Sequence, residues 1–338
     1  MKILDHFDHV VGPTTGTWQQ HLKQAIRDVS ELRRKLDLPI DESATPAQRS
    51  FPTFVPLPYL ARIEPGNVRD PLLLQVLPSS DELSHDNGFV TDPVGEHSAA
   101  IASGVLQKYA GRVLLVTTGS CAVNCRYCFR REFPYSESPK SAVDWEPGLS
   151  AIRNDPSIHE VILSGGDPLM LVDDMLRDLV ERISLISHVR GLRIHTRLPI
   201  VIPQRVTGRL LNTLDEFEKP VVVVLHSNHA RELDEHVRHA CELLRSVRNV
   251  TLLNQSVLLR DVNDDADVLT ELSERLFACG VLPYYLHQLD RVRGAAHFEV
   301  PVSIGRQLIT TIRSRLPGFL VPRYVQEIAG QPNKTVLL

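Results

Sequence analysis

Short β-branched runs alternate with helix-patterned segments from residue 112 onward, and this rhythm narrows the possible folds more than any other feature. The runs are "RVLLVTTG" (112–119), "EVILSGG" (160–166), "LRIHTRL" (192–198), "VVVVLHS" (221–227), "VTLLNQSVLL" (250–259) and "LPYYLHQL" (282–289). Helical periodicity marks 171–186, 203–216, 230–247, 265–279 and 303–315. Strands alternating with helices predict a parallel sheet with helical cover, joined by right-handed crossovers. Six units are too few for a closed eight-fold barrel. The expected fold is therefore α/β, a partial (β/α)6 barrel. Polar residues gather where the strands end: Ser164-Gly165-Gly166-Asp167, His195-Thr196-Arg197, His226-Ser227-Asn228 and His287-Gln288 with Asp290. The carboxyl ends of parallel strands are where such folds build sites.

The segment before the barrel differs. Residues 18–36 carry apolar positions at helical spacing and read as one amphipathic helix. A Pro-dense stretch follows, which predicts short helical pieces at most and an arm wrapped over the open side of the barrel. The expected organisation is an N-terminal helical and extended arm over 1–105, the barrel over 106–325, and a C-terminal segment over 326–338. The net charge of −4 and pI near 6.4 give no basic field for nucleic acid or an anionic membrane. The start of the chain shows no secretory signal, and runs such as "VVVVL" are too short to span a bilayer. A cytoplasmic protein is expected.

Five cysteines are present, and three of them fall within "CAVNCRYCFRRE" (121–132). In a reducing compartment such clustering points to metal or redox chemistry before disulfides. Cys241 and Cys279 stand alone in helix-like stretches and read as core residues. Cys121, Cys125 and Cys128 have the spacing C-x3-C-x2-C. Structural zinc usually takes four ligands, and His159 or His195 could supply the fourth. Three thiols suit a four-iron cluster that keeps one iron open for a substrate or cofactor. A zinc-stabilised binding module remains the alternative of a different class.

The cysteine motif closely resembles the signature of radical S-adenosylmethionine enzymes, in which a 4Fe-4S cluster delivers an electron and the bound nucleoside yields a hydrogen-abstracting radical. "LSGGDPL" (163–169) resembles the turn that holds the amino group of S-adenosylmethionine, implicating Ser164, Gly165, Gly166 and Asp167. Read from the residues alone, the same stretch is a tight strand-to-helix turn with Asp167-Pro168 opening the helix. Several further motifs narrow the likeness: "CRYCFRREF", "RLPIVIPQRVT", "LHSNHA", "NQSVLLRDVND", "PYYLHQLD" and "HFEVPVSIG". Together, over about residues 60–334, they resemble the lysine 2,3-aminomutase family. That family moves an amino group between adjacent carbons with the cluster, S-adenosylmethionine and pyridoxal 5'-phosphate.

The resemblance implies roles residue by residue. Lys334 matches the lysine that bonds to pyridoxal phosphate, although the family's Gly-rich stretch before it is reduced here to Gly330. Arg112, Lys108 and Tyr109 match positions around the phosphate. Arg130, His226 and Gln255 match contacts to S-adenosylmethionine, with Arg130 facing its carboxylate. Asp290 and Glu327 match an acidic pair that holds the distant ammonium of L-lysine, since a buried cation needs an opposite charge. Glu327 stands where the family commonly has Asp. The short form is similar to enzymes that supply (R)-β-lysine for elongation factor P and its lysine ligase. The alternative within the family is a catabolic or osmolyte-producing aminomutase. A flavodoxin-type electron donor is expected, and a homo-oligomer is compatible with the sequence.

Overall fold

The computed structural model describes residues 16–338 apart from 85, 136–138, 140 and 142. The start of the chain, where no secretory signal was read, lies outside the described residues. One ten-stranded sheet runs in simple sequential order. Its centre is seven parallel strands: β3 (Arg112–Thr118), β4 (Glu160–Gly165), β5 (Gly191–Thr196), β6 (Val221–His226), β7 (Val250–Val257), β8 (Leu282–His287) and β9 (Arg323–Gln326). β1 (Ala100–Ala102) and β2 (Val105–Tyr109) add antiparallel strands at one edge, and β10 (Thr335–Val336) adds one at the other. β1 and β10 do not pair with each other, so the curved sheet stays an open, partial barrel.

The expected six strands appear within a residue or two of their predicted bounds. A seventh parallel strand, β9, went unread because "RYVQ" is too short to show a pattern. Helix 146–154, between β3 and β4, also went unread. Side chains from β6 are buried on both faces of the sheet, as a helix-covered parallel strand demands. The crossover helices start at the caps their sequences announce: Thr207 before 208–216, Asp234 before 235–245 and Asp265 before 266–278. Cys241 and Cys279 are core residues, as expected.

The stretch 18–36 is two helices, Trp18–Lys23 and Val29–Lys35, not one. Asp28 caps the second, and Ile26 between them exchanges backbone hydrogen bonds with Val55. A tertiary bridge and a cap together outweigh the periodicity. The arm packs its apolar residues, including Trp18, Leu32, Tyr59 and Leu72, into the same core as the strands. Val90 also bridges to Val292 in the loop after β8.

The arm makes a group of buried polar contacts with the cysteine loop. Glu82 receives two bonds from Arg126 (2.8 and 2.6 Å) and one from Arg131 (2.7 Å), and all three side chains are buried. Both guanidiniums also stack on the Phe51 ring. Removing one member of a buried ion pair leaves an uncompensated charge, at about 3–5 kcal/mol. Glu82→Ala is therefore expected to lower unfolding free energy by about that amount in urea titrations. Glu82→Gln, which keeps an acceptor, should lose less.

Candidate active site

The carboxyl ends of the parallel strands open into a cavity of about 500 Å³. The three cysteines, Lys334 and every residue matched to a cofactor or to lysine line it; His159 does not. The three thiols occupy one region, after β3. Lys334, Glu327 and Asp290 are brought in by β8–β10 and the segments between them.

Cys121, Cys125 and Cys128 are free thiols. Burial pushes Cys121 well up and Cys128 up to about 11, and the neighbouring sulfurs push in the same direction. Such thiols would become thiolates only beside a strong cationic centre. Among the described residues, no three His, Cys, Asp or Glu side chains converge as ligands of a single metal ion. His159 cannot serve as a fourth ligand to the thiols. It precedes β4 at the amino end of the strand, packed against Gly111, whereas the thiols face the carboxyl end.

The Gly165-Gly166 turn is required by packing as well as by any ligand. Gly165 has φ +121°, and a Cβ there would lie 2.6 Å from the Thr118 carbonyl oxygen. At Gly166 a Cβ would lie 2.3 Å from the Ser120 oxygen. Only glycine lets this turn sit on the backbone that leads into the cysteine loop. Asp167 also has a structural role. Its buried carboxylate accepts from Thr196 Oγ1 (2.7 Å) and from the backbone N–H of Leu169, Arg197 and Leu198 (2.7–3.0 Å). It braces two strand ends, as the tight-turn reading of "GGDP" has it, while it also lines the cavity.

Arg130 differs from expectation. Its guanidinium donates to both oxygens of Glu96 (2.7 Å each), to Ser164 Oγ (2.9 Å) and to the Gly165 carbonyl (3.2 Å). The arm thus supplies a carboxylate where the resemblance places that of S-adenosylmethionine. Glu96 was missed because a lone Glu in a Pro-rich arm carries no periodic signal. His226 is held by Tyr127 OH at Nε2 (2.7 Å) and by the Gln255 carbonyl at Nδ1 (2.9 Å), and burial drives it down to about 4. Gln255 pairs with it across β6 and β7.

At the other end, Glu327 is the hub. It pairs with Lys334 Nζ, accepts from Lys108 Nζ at 3.2 Å and bonds to Tyr109. Burial alone would raise this carboxyl. The two ammoniums and these bonds instead hold it down to about 2. Lys108 also lies 3.7 Å from Glu96. Lys108 and Tyr109 therefore face carboxylates, where the resemblance gives them a phosphate. Arg112 stacks beside Tyr109 at 5.5 Å. Asp290 has the opposite setting: burial pushes its carboxyl up to about 7, against the pull of Lys334.

Two further cavity residues stand at strand ends in the sequence, His287 as a polar end alone and His195 also as a candidate zinc ligand. His195 and His287 are both driven well below the ordinary histidine range, chiefly by burial, and so are neutral. The Nε2 of each is buried and has no hydrogen-bond partner among the described residues. A buried unpaired nitrogen is costly, and two lining one cavity indicate a polar occupant. With the thiol set and the Lys334 amine, these groups fit an iron–sulfur cluster and a polar organic cofactor.

A partial parallel barrel carrying a three-thiol loop after its first parallel strand defines the radical S-adenosylmethionine class. Residues 110–192 match the family described as a 4Fe-4S single cluster domain. L-lysine 2,3-aminomutase of Haemophilus influenzae is 48% identical over 94% of this chain and 95% of its own. The Escherichia coli protein of the same name is 46% identical over 96% and 95%. That of Clostridium subterminale is 36% identical over 98% of this chain and 80% of its own. The chain belongs to the lysine 2,3-aminomutase family, whose members are isomerases. Among the described residues, no helix is long and apolar enough to cross a membrane.

Proposed function

We propose that this chain converts L-α-lysine to (R)-β-lysine with pyridoxal phosphate as a further cofactor. The reading rests on one observation: the thiols, the Lys334 amine and the Asp290–Glu327 pair line a single cavity. When bound, the cluster with S-adenosylmethionine supplies hydrogen-atom abstraction, and pyridoxal phosphate supplies a ring that delocalises spin from the substrate nitrogen.

The chain's own residues do the rest. Cys121, Cys125 and Cys128 hold three irons. Ser164, Gly165 and Gly166 shape the floor beside them, while Arg130, His226 and Gln255 border the nucleoside. Lys334 is the amine that holds the pyridoxal, with Arg112, Lys108 and Tyr109 as the cations and hydroxyl nearest it. Lys334 must lose its proton to react, and its contact with the Glu327 carboxylate holds it as an ammonium until then. Asp290 and Glu327 then hold the substrate's far ammonium. Fixing lysine at both ends keeps the reacting atoms adjacent and water away.

The test is anaerobic reconstitution, followed by incubation with lysine, S-adenosylmethionine, pyridoxal phosphate and a reductant. Iron and sulfide uptake and a β-lysine product by mass and chromatography are expected, with arginine and glutamate inert. Stoichiometric zinc without iron, or no product from lysine, overturns the reading. For the product we infer use in β-lysylation of elongation factor P through its lysine ligase, in the cytoplasm and with a flavodoxin-type donor. Support comes from the likeness to the Haemophilus influenzae and Escherichia coli relatives, 48% and 46% identical over 95% of their own lengths. A deletion strain should lack the β-lysyl mass increment on the factor, and free β-lysine should restore it.

A further inference from the structure

Arg197 follows β5 and is buried, yet no role has been given to it above. Its Nη1 donates to Cys125 Sγ and to Tyr127 OH, each at 2.7 Å. Its Nη2 donates to Gln75 Oε1 (2.7 Å) and Glu232 Oε2 (2.9 Å). Glu232 is fully buried and also accepts from the Asn228 and His229 backbone N–H (2.9 and 3.1 Å) and from Gln75 (3.2 Å). The guanidinium is thus fixed with its positive edge on the sulfur and its counter-charge on the other side. Tyr127 OH, which Arg197 also touches, lies 2.7 Å from His226 Nε2. One cation therefore connects a thiol of the cluster loop to the histidine bordering the nucleoside.

We propose that Arg197 is a positioning residue that sets the reduction potential of the cluster through its N–H···S contact and fixed charge at Cys125. When one electron enters from a reductant, the cluster gains a negative charge, and no bond or proton need move. A dry cation and a hydrogen-bond donor at a ligating sulfur favour the more negative form. Glu232 opposes that effect from further away, so the two charges act with opposite sign. Pairing with Glu232 accounts for one edge of the guanidinium, and the other edge is spent on the sulfur and on Tyr127.

The inference rests on the cluster reading, and its test separates the two. Wild type and variants are reconstituted anaerobically, assayed for iron and sulfide, and titrated with dithionite while the cluster's EPR signal is followed. Arg197→Gln with Glu232→Gln removes both charges without leaving one buried alone. It should lower the reduced-to-oxidised ratio at a fixed potential about tenfold, which is about 59 mV for one electron. Glu232→Gln alone leaves the cation unopposed and should shift the ratio the other way. If the double variant does not retain iron, the single variant decides. A ratio unmoved in an iron-replete Glu232→Gln protein, or in an iron-replete double variant, overturns the proposal. A wild type that takes up no iron overturns the cluster reading instead.

Discussion

Lys334→Ala is expected to bind no pyridoxal phosphate covalently and to lose lysine turnover by roughly a thousandfold or more, the scale seen when a bonded catalytic group is removed. The visible absorbance of the lysine-bound cofactor should be absent, and borohydride should fix no label in the chain. An unchanged spectrum in this variant would remove Lys334 from its role. Glu327→Gln offers a sharper contrast, because Glu327 faces Lys334 and Lys108 together. An ammonium held against a carboxylate is not a nucleophile. The amide should therefore speed attachment of pyridoxal phosphate, followed by stopped-flow absorbance, while KM for lysine rises. A merely structural Glu327 would move neither rate in that opposed fashion.

The barrel was legible because β-branched runs and helical periodicity alternate without interruption from residue 160 onward, after a first run at 112–119. β9 and β10 were not, since four and two residues are too few to show a period. The two-helix form of 18–36 was hidden for another reason: the break at Ile26 is fixed by Val55, a contact invisible to local pattern. The site divides in the same way. Lys334, Asp290 and Glu327 came from matched motifs, and the fold brings them together in one cavity. The buried acids that pair with arginines around the cysteine loop did not come from motifs. Arg130 meets Glu96, Arg126 meets Glu82 and Arg197 meets Glu232, all buried. A sequence shows each of those acids as an ordinary charged residue, because what distinguishes it is burial against a partner 34 to 44 residues away. The glycine pair was read as an approach for a ligand, and its tight fit on Thr118 and Ser120 could be learned only from coordinates.

These pairs share a consequence. Arg130 and Arg197 each meet a carboxylate of their own and Arg126 and Arg131 share Glu82, so much of the positive charge near the loop is already balanced before any anionic cofactor arrives. A carboxylate or phosphate that engages Arg130 or Lys108 must share them with Glu96 or Glu327. Glu96→Gln should therefore tighten S-adenosylmethionine binding to the reconstituted protein, measured by equilibrium dialysis.

Asp290 stands apart as an acid without a strong cation of its own, and Asp290→Asn should show it in two ways. Burial raises its carboxyl from 3.8 to about 7, with Lys334 opposing and Glu327 reinforcing the shift. A raised carboxyl disfavours the ionised form in the fold. Its contribution to stability is therefore full below about pH 4 and lost as pH rises through about 7. Asn carries no charge to lose, so the variant should gain stability relative to wild type above pH 7 and match it near pH 4, in urea titrations across that range. Lysine should behave in the reverse direction. Its far ammonium needs the ionised carboxylate, so wild-type kcat/KM should climb through about pH 7 and then level. Taking one of its two carboxylates from that ammonium in a buried site costs up to about 3–5 kcal/mol, or roughly 10²–10⁴-fold in kcat/KM at pH 8. The variant's profile should lack the limb near pH 7, and the gap to wild type should narrow toward pH 5, where wild-type Asp290 is itself protonated. Equal kcat/KM for the two proteins at pH 8 would show that lysine is held by other groups.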